Sequence, residues 1–149
     1  MSIKEQLLNE CRLYVEKREE TIQTIIASNK KALLSETKSS AGDKHETGRA
    51  MLQLEMEKAS QQISVVQQMK EVLFRINTSN TSEVVRLGSV VYTNKGIYFL
   101  AVSIGKVTIE AKDYFVISGS SPIGKLLLGK RENEAITFNN TKITIEELI

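Results

Sequence analysis

The hydrophobic period of this chain changes near residue 80, and that change constrains the fold more than any other feature. Before it, apolar residues recur mostly every three, four or seven positions over residues 3–35 and 48–76, separated by Glu, Lys, Gln and Arg. That spacing is typical of amphipathic helices, and the intervening residues are good helix formers. Beyond residue 80 the period becomes two, in segments rich in Val, Ile, Thr, Tyr and Phe. Such alternation is typical of half-buried strands.

The first half predicts two long helices that need each other. At about 1.5 Å per residue, each would extend roughly 45–50 Å. An apolar stripe this narrow is not stable alone in water, and the nearest partner for it is the other helix. A short connection makes two neighbouring helices antiparallel. We therefore expect an antiparallel coiled-coil hairpin over residues 1–78, with its tip at about residues 36–47.

The second half predicts a small β-rich domain over residues 79–149. The polar run at 77–83 ends the second helix, because Asn, Ser and Thr side chains compete with the helix through local hydrogen bonds. The sequences TNKG (93–96) and NNTK (139–142) predict hairpin turns. The expected fold class is α+β, with the helical hairpin followed by a small antiparallel sheet.

One segment of the second half breaks the strand pattern and predicts a short helix at 121–129. Ser121 can cap its start, and Pro122 has the backbone angle required at a first helical position. Gly129 can close its end. Leu126, Leu127 and Leu128 would then lie partly against the sheet.

Two acids lie at the expected tip, in KSSAGDKHETGR (38–49). Asp43 and Glu46 are three residues apart, so on a helical turn they point in the same direction. The same spacing fits a capping box at the start of the second helix. The two interpretations are compatible, because a carboxylate that caps a helix can remain exposed.

Composition excludes several classes of protein. The net charge of +2 over 149 residues does not indicate a nucleic-acid binder. The single cysteine, Cys11, allows no intramolecular disulfide and no cysteine-based zinc cluster, and its apolar stripe predicts a buried thiol. His45, the only histidine, cannot form a zinc site alone. No apolar run approaches membrane length, so we expect a soluble cytoplasmic protein without membrane contacts.

This organisation resembles the Gre transcript-cleavage factor family of bacterial RNA polymerase. The sequence SPIGK with LLGK just after it (121–130) is similar to the signature helix of the family's FKBP-like C-terminal domain. The sequence GDKHE (42–46) is similar to the family's G-D-x-x-E at the coiled-coil tip. Order, spacing and length agree over nearly the whole chain. The partner-binding segment that the resemblance implies is Ser121, Pro122, Ile123, Gly124 and Lys125.

The resemblance implies a mechanism in a complex with RNA polymerase. The globular domain would bind near the rim of the secondary channel, and the hairpin would extend into it. Asp43 would bind a Mg²⁺ ion shared with the polymerase, and Glu46 would orient a metal-bound water or act as a second ligand. The activated water would cut the 3′ end of backtracked RNA. Such a protein acts as a monomer, has no cofactor of its own, and is not an enzyme without the polymerase.

The tip also departs from the family pattern. Cations crowd the two acids and could contact RNA, but they also compete with a metal for carboxylate oxygens. A Gre-like protein that inhibits or modulates the polymerase without cleavage is therefore one alternative. A structural or chaperone-like interaction module, unrelated to the polymerase, is another. The residues concerned are Lys38, Lys44, His45 and Arg49.

Overall fold

A computed structural model of the chain describes residues 1–38 and 43–149, with side chains for 1–35 and 47–149. Helices α1 (Ile3–Lys38) and α2 (Asp43–Phe74) come first. The strands and a third helix, α3 (Pro122–Leu127), follow them. The predicted α+β class is confirmed. None of the helices in the described ranges combines the length and apolarity needed to cross a membrane.

Within the part of the chain described, six strands form one sheet in the order β3-β4-β2-β1-β6-β5. Helix α3 lies between β4 and β5 in the sequence. The strands are β1 (Val90–Thr93), β2 (Gly96–Ala101), β3 (Gly105–Ile109), β4 (Lys112–Ser118), β5 (Ala135–Phe138) and β6 (Thr141–Leu148).

The chain divides into two compact units. One, which we call the sheet unit, contains Met1–Tyr14 and Glu71–Ile149. The other, which we call the helical unit, contains Val15–Lys70. The division into residues 1–78 and 79–149 that the sequence suggests stays a prediction.

In the helical unit, α1 and α2 contact each other side by side. Glu19 forms an ion pair with Lys70 at 2.6 Å and accepts a hydrogen bond from Gln67 Nε2 at 3.2 Å. Glu19 lies about 29 Å before the end of α1, and Gln67 about 36 Å after the start of α2. If the helices were parallel, this contact would place Lys38 and Asp43 more than about 60 Å apart. The four residues between them span at most about 18 Å, so the helices run in opposite directions. Between them lies a seam of buried side chains: Val15, Ile22, Asn29, Ala59, Val66 and Met69.

Two hairpin turns of the sheet lie where the sequence predicts them. Thr93 pairs with Gly96 across the turn from β1 to β2. Phe138 pairs with Thr141 across the turn from β5 to β6. In the second turn Asn139 and Asn140 have φ of 49° and 61°, which is the left-handed conformation that two-residue hairpins require and Asn tolerates.

The sequence did not reveal a third turn. Strands β3 and β4 are separated only by Glu110 and Ala111, at φ of 50° and 65°. A Glu-Ala pair has none of the usual turn chemistry, so residues 106–118 read as one continuous strand-like segment. Strand β4 then pairs with β2 in the parallel direction. The sheet is therefore mostly antiparallel, and the expectation of a wholly antiparallel sheet is wrong.

Both faces of the sheet contain fully buried residues. On one face, Val91 and Leu100 join a core cluster with Leu127 of α3. On the other, Val90, Phe99 and Val116 are at most 1% exposed. Buried helical residues of the same unit are available to cover that second face: Leu7, Leu8, Cys11, Leu73 and Ile76.

Two contacts connect the helix ends of the sheet unit to the segment before β1. Lys4 Nζ donates a hydrogen bond to the Asn80 carbonyl at 2.8 Å. Burial, together with the charge of Arg86, lowers the pKa of Lys4. Gly88 has φ of 90°, and a Cβ there would come within 3.1 Å of Ile76 Cγ2.

Cys11 is fully buried, as predicted. Burial is the main cause that raises the pKa of its thiol from 9.0 to about 12, and the charge of Glu10 adds to it. A thiol that stays protonated at neutral pH is a poor nucleophile, so Cys11 acts as a small apolar core residue.

Candidate functional site

The predicted tip acids lie at the start of α2. Asp43 is its first residue, and Glu46 lies in its first turn. The side chains of Lys38, Asp43, Lys44, His45 and Glu46 lie outside the described residues. Arg49 is described and is exposed. The described residues include no group of three or more His, Cys, Asp or Glu that could hold a metal ion. They do not include the side chains of the tip acids, whose magnesium role stays a prediction.

A capping box is found at the start of α1. The Ser2 backbone N–H donates to the Glu5 carboxylate at 3.3 Å, and the Glu5 N–H donates to Ser2 Oγ at 3.2 Å. These reciprocal bonds satisfy two donors that have no partner within a helix. This capping box was missed in the sequence, which carries Ser and Glu there at the same three-residue spacing.

The SPIGK motif forms a tightly bonded helix start. Ser121 caps α3, with its Oγ accepting the Gly124 N–H at 3.1 Å. The same Oγ donates to the Ser118 carbonyl at 2.6 Å. Pro122 occupies the start of the helix, where a missing N–H costs nothing. The predicted cap and first position are both confirmed.

Position 124 requires glycine because there is no room for a Cβ atom, and not because of its backbone angle. A Cβ at this position would lie 2.1 Å from the Ser118 carbonyl oxygen and 3.1 Å from Gly119 Cα. It would also come within 2.8 Å of Ser121 Oγ. Two of these three atoms belong to the backbone, so no side-chain rotation relieves the clash. The glycine of the motif therefore permits the close approach of the turn that contains Ser118 to the helix.

The end of α3 is held by the segment before β1. Gly129 has φ of 79° and donates its N–H to the Val85 carbonyl at 2.8 Å. The Val85 N–H donates in return to the Lys130 carbonyl at 2.8 Å. The left-handed angle is one that glycine adopts without strain, and the predicted role of Gly129 is confirmed.

One face of α3 is buried and the other is open to solvent. Leu127 is fully buried, whereas Leu126 and Leu128 are 38% and 40% exposed. Among the three leucines, therefore, only Leu127 belongs to the core. Pro122 and Lys125 are also exposed. The motif presents a cation and apolar side chains on a rigid support.

The sheet unit also contains a groove that the sequence pattern does not predict. It is lined by residues near the start of α1 and around the end of α2, including Arg12 and Phe74. The available signal was the position of Phe74. It lies between Leu73 and Ile76, two residues of the apolar stripe, but is itself off the stripe.

The chain shows no match to the models of known protein families, and none to curated proteins. The case for function therefore depends on its own residues and their geometry.

Proposed function

We propose that this chain is a Gre-like elongation factor that binds RNA polymerase and promotes Mg²⁺-dependent cleavage of backtracked RNA. The observation that supports it most is the SPIGK helix start. Ser121 and Gly124 give that segment one close-packed geometry, beneath an exposed Pro122 and Lys125. In the proposed family this segment belongs to an FKBP-like domain that follows a coiled coil.

The two long helices support the same proposal. They contact each other through Glu19, Gln67 and Lys70 and run in opposite directions. We propose that they form a coiled-coil hairpin whose far end enters the secondary channel. A four-residue interval separates Lys38 from Asp43, so the two acids lie close to the point where the chain turns back.

The donor set of the tip fits magnesium. Mg²⁺ prefers oxygen ligands, and proteins usually supply one or two carboxylates. Asp43 would provide a direct carboxylate oxygen, and Glu46 would orient a metal-bound water or act as a second ligand. When bound in the polymerase, the ion would supply an activated water for phosphodiester cleavage. The polymerase would contribute the remaining ligands, so the chain is proposed to act as a cofactor protein and not as an enzyme alone.

A second candidate function is inhibition or modulation of the polymerase without cleavage. Arg49 is exposed three residues after Glu46, and side chains at that spacing share a helical face. Its guanidinium would compete with a metal ion for the Glu46 oxygens. Lys38 and Lys44 add further cations close in sequence, and His45 lies beside them.

Cleavage of RNA in stalled complexes tests the proposal. Purified bacterial RNA polymerase with backtracked, end-labelled RNA and Mg²⁺ is mixed with the wild-type chain or with Asp43→Ala/Glu46→Ala. Shortened RNA is expected with the wild type and not with the double variant, while both bind the polymerase in a pull-down. The matched control is Glu55→Ala/Glu57→Ala, which removes two exposed acids of α2 away from the tip.

Two other outcomes separate the alternatives. Binding without cleavage by the wild-type chain would favour the inhibitor. No binding to polymerase at low salt would reject both polymerase functions and favour the structural or chaperone-like interaction module.

A further inference from the structure

A groove of about 520 Å³ lies in the sheet unit. Asn9 and Arg12 of α1 line one part of it. Phe74, Asn77 and Thr78, at the end of α2 and just beyond, line another. Small-molecule sites commonly have volumes of about 300–1,000 Å³, so the groove is large enough for one nucleotide.

Phe74 is the groove's unusual apolar residue. Its side chain is 87% exposed, more than any other large apolar side chain in the described residues. Leu73 and Ile76, on the apolar stripe, are 3% and 8% exposed. Leu73 and Ile76 are therefore buried in the core, whereas the aromatic ring of Phe74 is exposed to solvent at the groove. Ring contacts of Phe74 with other aromatic residues are absent from the described part of the chain.

Arg12 brings an unpaired cation to the same groove. Its guanidinium has no hydrogen bond or ion pair with any described residue. Glu5, seven residues earlier, also lines the groove. Its carboxylate accepts the Ser2 N–H in the capping box, which orients it at the helix start without removing its charge. A free guanidinium binds phosphate well, because its planar donors match the phosphate oxygens.

We propose that this groove binds one nucleotide of a single-stranded nucleic acid. The base stacks on the Phe74 ring, and the adjacent phosphate binds Arg12. Aromatic rings accept every base by stacking, and cations that follow the backbone complete single-strand sites of this kind. Asn9 Nδ2 donates to Met1 Sδ, and Asn77 Oδ1 accepts the Ser79 N–H. The Asn9 Oδ1, the Asn77 Nδ2 and the Thr78 hydroxyl still offer both donors and acceptors to the edge of the base.

Charge favours a nucleotide over an apolar peptide as the occupant. A peptide side chain seated on Phe74 would cover Arg12 without neutralising it, and an unpaired charge removed from water is costly. A nucleotide supplies a flat ring and an anion at short separation. The inference does not depend on the polymerase proposal, because binding is measured with the chain alone.

Fluorescence anisotropy tests the site. The full chain is titrated into labelled oligouridylate or oligothymidylate of ten nucleotides, at low and at moderate salt. The wild type is expected to bind the single strands and to bind a duplex of the same length more weakly. Phe74→Ala should weaken binding by about fivefold to a hundredfold. Phe74→Tyr, which retains a ring, should restore it. Arg12→Gln should reduce the salt dependence, by about 0.7 in the logarithmic slope.

Two matched variants serve as controls. Leu13→Ala removes an exposed apolar side chain of the same unit that does not line the groove, and Arg75→Gln removes one charge beside Phe74 but outside the groove. Both should bind as the wild type does. Equal binding of RNA and DNA strands supports recognition of base and phosphate, whereas preference for RNA adds a contact to the 2′-hydroxyl.

Other results overturn the inference. These are no binding of either strand by the wild type at low salt, wild-type affinity in Phe74→Ala, or an equal loss in Arg12→Gln and Arg75→Gln. The circular dichroism of each variant should match the wild type, because Phe74 and Arg12 are exposed and their replacement leaves the core unchanged.

Discussion

The helical unit and the sheet unit are stabilised in different ways. In the helical unit, one narrow seam holds two long helices together, and large apolar residues such as Leu34, Met51 and Leu54 are more than 60% exposed. In the sheet unit, residues on both faces of the sheet are fully buried, among them Val91 and Phe99. This difference indicates that local helix propensity contributes much of the stability of the helical unit, whereas the stability of the sheet depends on contacts between residues distant in the sequence.

The largest expected effect is at a glycine of the sheet unit. Gly124→Ala places a methyl group 2.1 Å from the Ser118 carbonyl oxygen. Because the clash is with backbone, the free energy of unfolding should fall by about 3 kcal/mol or more. Urea denaturation monitored by circular dichroism measures the change.

Gly48→Ala is the control from the helical unit. Gly48 lies within α2, where alanine is a better helix former, and the free energy of unfolding should rise by about 0.5–1 kcal/mol. Equal signs for the two substitutions would contradict the comparison between the units.

The same substitution at two buried valines sharpens the comparison further. Val116 of β4 is 1% exposed and Val66 of α2 is 0% exposed. Val116→Ala should lower the free energy of unfolding by about 2–3 kcal/mol, from lost burial and a cavity. Val66→Ala should cost about 1 kcal/mol less, because alanine is favoured in a helix and disfavoured in a strand. Equal costs in urea denaturation would show that packing alone decides both sites.

Asn29 is the weak point of the helical seam. It is 8% exposed, and its amide Nδ2 has no hydrogen-bond partner among the described residues. An unsatisfied buried donor costs about 1–3 kcal/mol, so Asn29→Leu should raise the free energy of unfolding by about 1–2 kcal/mol. Thermal denaturation is the measurement. Ser28→Leu, at an exposed neighbouring position, should change it little. A lower melting temperature in Asn29→Leu would mean that the amide has a partner in solution.

Cys11 predicts a pH dependence in the sheet unit. Burial raises the pKa of its thiol from 9.0 to about 12, so above pH 9 the unfolded chain loses a proton that the folded chain keeps. The unfolded state is then favoured as pH rises. We expect the free energy of unfolding to fall by about 1 kcal/mol between pH 9 and pH 10 from this residue.

The difference between wild type and Cys11→Ala isolates this effect. Tyr92 and Tyr98, whose pKa values burial also raises, and Lys4, whose pKa burial lowers, contribute equally to both proteins. Parallel curves of stability against pH for the two proteins would refute the assignment to Cys11.

The smallest effects are expected at surface ion pairs. Glu19→Ala removes the contacts with Lys70 and Gln67 in the helical unit and should cost less than about 1 kcal/mol. Lys106→Ala removes a longer contact of 4.0 Å with Asp113 in the sheet unit and should cost less. The difference should shrink in 1 M salt, where such pairs are screened. An equal or larger cost for Lys106→Ala would contradict this ranking.

The helices and the SPIGK segment could be predicted because their signals are local. Apolar spacing indicated α1 and α2, and Ser121, Pro122 and Gly129 indicated both ends of α3. The turn at Glu110 and Ala111 could not be predicted in the same way. Its left-handed angles are imposed by the pairing of β3 with β4, and neither residue type favours them.

The two candidate sites differ in the same way, since one has local sequence signals and the other is formed by distant residues. The SPIGK helix start was visible in the sequence, and its cap was found where the sequence placed it. The groove beside Phe74 was not visible, because its lining comes from residues near the start of α1 and others near the end of α2, which are some sixty positions apart in the sequence.

By itself the sequence determined the class of each half, since hydrophobic period depends only on neighbouring residues. It also determined the cap of α3 and two of the hairpin turns, through side chains that bond or bend their own backbone. Only the tertiary structure decided that β4 joins β2 in parallel, that Gly124 lies against the Ser118 carbonyl, and that Phe74 stays in water. These outcomes depend on which distant segments meet, and a one-dimensional pattern contains no distance between them.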